Sequence, residues 1–369
     1  MTREPLLLTP GPTIVPPSVL EALGRPTDHH RTKEFQAVLK EVGEGLKKVF
    51  GTAQEVLILT SSGTGAMEAA VANLLSAGDE AIVIRGGKFG ERWGEICEAF
   101  GATFTPVDPL WGKPLDLKAL EQTLKQHPRA KAVFATLCET SAGVVFDIRG
   151  LRRAITAAGV PALLVVDAIS GLGADSFAMD EMGVDVAVSG SQKGFMLPPG
   201  LAFIALSPRA WEAVSKSKSP RYYYDLNLAK KAWADTDTPW TPAISLIIGL
   251  KESLKIMLAK GIESFTAGHR ADAEKLRADV QKMGLELYAD PACASNAVTM
   301  IKVPAGVDGK ELLKQIRAKH NIVIAGGQGK ELVGKVIRIA TMGAVGPAEI
   351  QAGLNAVEEV LAEMQVKNG

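Results

Sequence analysis

From about residue 54 the chain alternates short apolar runs with amphipathic stretches, and this alternation restricts it to βα units feeding a largely parallel sheet with helices on both faces. The predicted strands are EVLILT (55–60), EAIVIR (80–85), KAVFATL (131–137), ALLVVD (162–167), VDVAVSG (184–190) and LAFIALS (201–207). Between them lie helical stretches at 89–100, 116–126 and 148–159, each bounded by Gly, Pro or Asp. Near residue 242 the pattern changes to long helices followed by a strand-and-helix segment ending in IRIATMG (337–343), the signature of a smaller α+β unit. The expected organisation is an extended Pro-rich arm (1–18), a large domain (19–260) and a small C-terminal domain (261–369).

In open sheets of this kind ligands bind beyond the carboxyl ends of the strands, so chemistry is sought there. Composition narrows the ligand. Lys plus Arg and Asp plus Glu are equal at 41 each, leaving no overall field to draw in nucleic acid or an anionic membrane. The 3 cysteines, Cys97, Cys138 and Cys293, are spaced for neither a disulfide framework nor a zinc site. His29 and His30 are adjacent on an extended segment and have no accompanying ligand cluster, so no metal site is expected. The N-terminus lacks a secretory apolar region and no run is long enough to span a membrane, which points to a cytoplasmic protein with a small-molecule partner.

Three strand ends carry candidate residues. SSGTGAMEAA (61–70) joins a strand to a helix: Gly63 and Gly65 let the backbone approach an anion, Ser62 and Thr64 supply hydroxyls, and the helix dipole favours negative charge. The same residues also suit an ordinary turn capped by Ser or Thr, and the spacing is neither a Walker loop nor a dinucleotide fingerprint. GGQGK (326–330) lacks the first Walker glycine and reads as a flexible loop. Asp167, closing LLVVD, either starts a turn or holds a pyridinium nitrogen protonated, as an electron-sink cofactor requires. Lys193, in SGSQKGFMLPPG (189–200), is either a solvated lysine or, if desolvated, an imine-forming nucleophile and base for a Cα proton.

Together these three segments resemble the class V aminotransferases, which use pyridoxal 5'-phosphate on the fold type I scaffold. LLTPGPTIVPPSVLEAL, HHRTKEF (29–35), GGKFGER (86–92), ETSAGV (139–144), TPWTPAIS (238–245) and VIRIATMG (336–343) follow in the family's order and approximate spacing, so the likeness covers nearly the whole chain. The nearest branch is the alanine–glyoxylate and serine–pyruvate or serine–glyoxylate enzymes. The resemblance implies that Lys193 forms the Schiff base, Asp167 partners the pyridine nitrogen and Thr140 donates near the phenolic oxygen. By the same match, Ser62, Gly63, Thr64 and Gln192 hold the phosphate and Phe89 stacks on the ring. Thr238 and Thr241 would reach the phosphate of the neighbouring subunit, implying a homodimer with shared active sites. Arg338 would bind the substrate carboxylate, aided by a backbone donor at Gly11. The sequence departs from animal alanine–glyoxylate enzymes at Thr64, Phe89 and Thr238, where those carry His, Trp and Tyr.

The implied reaction is ping-pong transfer of an amino group from alanine or serine to glyoxylate or pyruvate. An aspartate-type donor would want a second cation, for which Arg31 is a candidate, and a 2-aminoethylphosphonate–pyruvate enzyme would share the same cofactor set. A cysteine desulfurase would need a cysteine within 320–336, where there is none. A non-catalytic binding protein on this scaffold would be expected to have replaced Lys193 or Asp167; both are present.

Overall fold

The computed structural model describes residues 4–27 and 29–368, with side chains as far as residue 364; the first three residues of the expected arm and the final Gly369 lie outside the described residues. The strands in chain order are β1 (Leu6–Leu8), β2 (Val56–Ser61), β3 (Glu80–Ile84), β4 (Thr103–Val107), β5 (Ala132–Thr136), the short pair β6 (Cys138–Glu139) and β7 (Val144–Val145), β8 (Leu163–Asp167), β9 (Val186–Gly190), β10 (Gly200–Leu206), β11 (Val298–Lys302), β12 (Ile322–Gly326) and β13 (Val336–Ala340).

Seven of them form one sheet in the order β2-β10-β9-β8-β5-β3-β4. Every neighbouring pair is parallel except those made by β10, which runs against both β2 and β9. β2, β3, β5, β8 and β9 therefore all end at one edge. β5, β8 and β9 are buried at every position because both sheet faces are covered, which is why they read as continuous apolar runs. Alternate residues feed two different cores. Val133, Ala135, Leu164 and Val166 join the cluster that includes Leu39 and Leu46 of the helix Lys33–Phe50 and Leu151 of the helix Ile148–Ala158. Ala132, Phe134, Leu163 and Val165 face the other way, into the cluster of Met67 and Trp93 from the helices Gly63–Leu74 and Lys88–Ala99.

Two elements differ from expectation. β4 carries no clear apolar pattern, being a half-exposed edge strand with Pro106 inside it. The N-terminal arm is not free: β1 pairs in parallel with β12 in a second sheet of order β1-β12-β13-β11, and the helix Pro17–Leu23 begins before residue 18. This tethers residues 9–13 across the edge where the large-sheet strands end. Among the described residues no helix is long and apolar enough to cross a membrane.

Candidate active site

Lys193 follows β9 in a turn closed by Ser191, whose Oγ donates to the carbonyl oxygen of Pro198 at 2.7 Å and accepts from the amide of Leu201 at 3.2 Å. The side chain is buried, and Nζ donates to the carbonyl oxygen of Pro10 in the arm. The arm is fixed in return. Thr13 Oγ1 donates to the carbonyl oxygen of Lys193 at 3.0 Å, and the Thr13 amide donates to that of Gln192 at 3.2 Å. Gly11 has φ +105°, a conformation that disfavours side chains, and lies against the lysine. Burial pushes the Lys193 pKa down to about 8; Cys138 and Asp167 oppose the shift, while Arg338 and Arg92 reinforce it. An ordinary lysine is charged at neutral pH, but here the nucleophilic amine is within reach.

Asp167, the last residue of β8, is also buried, with Oδ1 accepting from the Ile169 amide at 2.8 Å. Burial raises its pKa to about 7; the nearby Glu139 adds to the rise, and Lys193 and Arg92 counter it. A cation placed against this carboxylate would be held firmly, because it removes the cost of a buried charge.

Ser62 stands at the N-cap of the helix Gly63–Leu74, yet its side chain makes no capping bond, so the hydroxyl stays available. Gly63 packs against Ile169, whose Cδ1 would lie 2.4 Å from a β-carbon built there. Thr64 Oγ1 accepts from Arg92 Nη1 at 3.1 Å, which leaves the hydroxyl proton to point elsewhere. Gln192 Oε1 and Thr140 Oγ1 are buried atoms with no partner among the described residues. Unpaired buried polar atoms are costly and imply a ligand or water. Gln192 immediately precedes Lys193, and the Thr140 carbonyl accepts from Arg338.

A buried acid that the sequence reading did not single out organises the opposite wall. Glu139 accepts from the amides of Phe89 at 3.0 Å, Gly90 at 2.9 Å and Ser141 at 3.1 Å, and from Ser141 Oγ at 2.6 Å. It thereby pins the start of the helix Lys88–Ala99 and with it the half-buried Phe89. Arg338, on β13, donates through Nε to the carbonyl oxygen of Gly326 at 2.8 Å and through Nη1 to that of Thr140 at 3.0 Å. The guanidinium is thus oriented by backbone on two sides and has donors left over. Burial lowers its pKa to about 10, which keeps it charged at neutral pH.

Lys193, Asp167, Gln192, Thr140, Phe89, Arg338, Gly11 and residues 62–64 thus gather at one sheet edge. Thr238 and Thr241 do not. They line a separate recess with Thr60 and Tyr223 beside the edge strand β2, and Thr238 Oγ1 donates to the carbonyl oxygen of Trp240 at 2.7 Å. Arg31 is committed nearby, its Nη1 lying 3.2 Å from Asp237 Oδ2, while Asp237 Oδ1 accepts from the Thr238 amide at 2.8 Å. Three contributors went unread in the sequence: Thr13, Glu139 and Arg92. Each sits inside a quoted motif, and the i, i+3 spacing of Phe89 and Arg92 was the available signal.

Over nearly its whole length the chain is similar to known proteins. The family described as "Aminotransferase class-V" matches residues 6–346. A protein of Synechococcus sp. (strain PCC 6716) named soluble hydrogenase, small subunit, is 43% identical over 371 residues, covering 100% of this chain and 96% of that protein. An L-aspartate–glyoxylate aminotransferase of Paracoccus denitrificans is 39% identical over 369 residues, covering 99% of this chain and 93% of its own. The crystal structure of an alanine–glyoxylate aminotransferase from Nostoc sp. superposes with a TM-score of 0.93 at 30% identity, covering 98% of this chain and 96% of that one.

Proposed function

Because this chain belongs to the class-V aminotransferase family, we propose that it transfers the amino group of alanine or serine to glyoxylate or pyruvate in a ping-pong cycle. Pyridoxal 5'-phosphate is the cofactor, and when bound it supplies the electron sink for the carbanion left by removal of a Cα proton. The site's residues fit it. Unpartnered Thr140 Oγ1, the uncapped Ser62 hydroxyl and the bare backbone at Gly63 offer places for its polar groups.

Each residue then has a task. Lys193 Nζ would hold the cofactor through its carbonyl carbon, and as a free amine it would be the base that carries the Cα proton. Asp167 holds the ring nitrogen protonated. Thr140 donates at the phenolic oxygen, Phe89 covers the ring, and Ser62, Gly63, Thr64 and Gln192 seat the phosphate. Arg338 takes the substrate carboxylate end-on through its Nη atoms, while the Gly11 backbone closes over the substrate. Thr238 and Thr241 complete the phosphate seat of a second copy, so the working unit is a cytoplasmic homodimer. Residues 19–260 carry the cofactor and residues 261–369 the carboxylate clamp, with β1 of the arm built into the clamp's sheet.

The observation that carries this reading is the burial of Lys193 beside Asp167, with Arg338 held over the same edge by the Thr140 carbonyl. The hydrogenase name belongs to the cyanobacterial relative; the carbonyl-chemistry residues assembled here favour amino transfer. The name of the Paracoccus relative brings aspartate in as a second donor, and 2-aminoethylphosphonate shares the cofactor set. A panel of alanine, serine, aspartate and 2-aminoethylphosphonate, each with glyoxylate and with pyruvate, tests the proposal. Keto-acid formation fastest from alanine or serine is expected; turnover confined to aspartate or the phosphonate would overturn the donor assignment. Sedimentation at working concentration should give a dimer, and an active monomer would refute the shared site.

A further inference from the structure

The phosphate seat proposed above is short of positive charge. Ser62, Thr64 and Gln192 are neutral donors, and Lys193 is reserved for the carbonyl carbon, while a phosphate monoester carries close to two negative charges at neutral pH. One cation reaches the seat. Arg92, three residues after Phe89 on the helix Lys88–Ala99, is half-buried; its Nη1 donates to Thr64 Oγ1 at 3.1 Å and its guanidinium carbon stands 5.1 Å over the Phe89 ring centroid. Among the described residues it has no carboxylate within ion-pair distance, unlike Arg85 with Asp108 or Arg152 and Arg209 with Asp185.

We propose that Arg92 is a cofactor-binding residue of this site, supplying through Thr64 the positive charge for the phosphate and clamping Phe89 with its flat face. The geometry gives both halves. A hydroxyl that accepts from a guanidinium turns its own proton away, and polarisation by the cation strengthens the bond it then donates. A guanidinium over an aromatic face is also attractive and fixes the ring plane, which suits a side chain meant to stack. The charge is felt at the chemistry too, since Arg92 favours the charged form of Asp167. This inference rests on the placement of the phosphate at residues 62–64 and extends it to a residue outside the strand-end segments.

The test uses cofactor-stripped protein reloaded with pyridoxal 5'-phosphate or with phosphate-free pyridoxal, following the visible absorption band and fitting a dissociation constant for each. Charge-assisted hydrogen bonds of this kind support a loss of about 10- to 100-fold in affinity for the phosphorylated form in Arg92→Gln, with a smaller loss for pyridoxal, about 2- to 5-fold, from the unclamped Phe89 ring alone. Arg92→Lys keeps a charge and should recover part of the preference, so the comparison survives if the glutamine variant folds poorly. Equal weakening of both forms, with no recovery in the lysine variant, would mean a structural role and overturn the proposal. So would unchanged cofactor binding with a raised KM for aspartate alone, which would make Arg92 a recognition residue for a substrate's second carboxylate. Wild-type protein with no preference for the phosphorylated form would instead remove the phosphate seat itself, and the role of Arg92 with it.

Discussion

A β-carbon built on Gly11 would fall 2.5 Å from Nζ of Lys193, closer than any real side chain could stand. The arm and the lysine are therefore fitted to each other, and β1 is what holds the arm in place. Gly11→Ala should displace the amine by an ångström or so while leaving both sheets intact. A misplacement of that size costs on the order of 100-fold in rate, read as kcat/KM. Wild-type turnover in this variant would show that the arm does not close the site.

Burial sets the pH behaviour of the lysine. The neutral, nucleophilic amine of Lys193 appears as pH rises through about 8 rather than through the usual lysine range. The rate at which stripped protein takes up pyridoxal 5'-phosphate should therefore climb across that window, and a rate still climbing above pH 10 would contradict the burial argument.

Burial makes the charged form of Asp167 costly. Its folded pKa, about 7, exceeds that of an exposed aspartate, so the native state binds this proton more tightly than the unfolded chain. Its contribution to stability is present at low pH and is lost as pH rises through about 7. In cofactor-free protein at pH 8, Asp167→Asn removes a buried charge while Oδ1 still accepts from Ile169, and should stabilise by roughly 2 to 4 kcal/mol. The gain should shrink towards pH 4, and cofactor affinity should fall. Urea titrations at both pH values check the sign; a destabilised variant at pH 8 would refute it.

Glu139 accepts four donors on two oxygens. Glu139→Gln turns one oxygen into an amino group facing N–H or O–H donors, which should cost about 2 to 3 kcal/mol in urea unfolding and loosen Phe89. Equal stability and cofactor affinity would show that the acid is dispensable.

What the sequence revealed follows from the range over which each feature acts. β5, β8 and β9 were legible because strands covered on both faces leave continuous apolar runs, and Asp167, Lys193 and residues 62–64 stood out because they lie at or just beyond the ends of β8, β9 and β2. β4 was not, since an exposed edge strand with Pro106 has no pattern to read. The pairing of β1 with β12 joins opposite ends of the chain and leaves no local mark. Glu139, Arg92 and Thr13 owe their importance to tertiary neighbours, Phe89, Thr64 and Lys193, that only folding brings near.

Arg338 offers a contrast between binding and turnover. Its Nε and Nη1 are steered by the carbonyls of Gly326 and Thr140, which fixes the plane of the fork, and the proposed function gives its remaining donors a substrate carboxylate to hold. Arg338→Lys loses the fork and should raise KM for both amino acid and keto acid by about 10- to 100-fold, with a smaller effect on kcat. Unchanged KM values for both would move carboxylate recognition elsewhere.

The central claim is that Lys193 carries the cofactor, and the visible spectrum tests it most directly. Wild-type protein incubated with pyridoxal 5'-phosphate and then desalted should keep a visible absorption band that sodium borohydride bleaches while fixing the cofactor irreversibly to the chain, and Lys193→Ala should lose both that covalent attachment and its turnover. A Lys193→Ala protein that retains the band, becomes irreversibly labelled on borohydride reduction and still turns over would contradict the account.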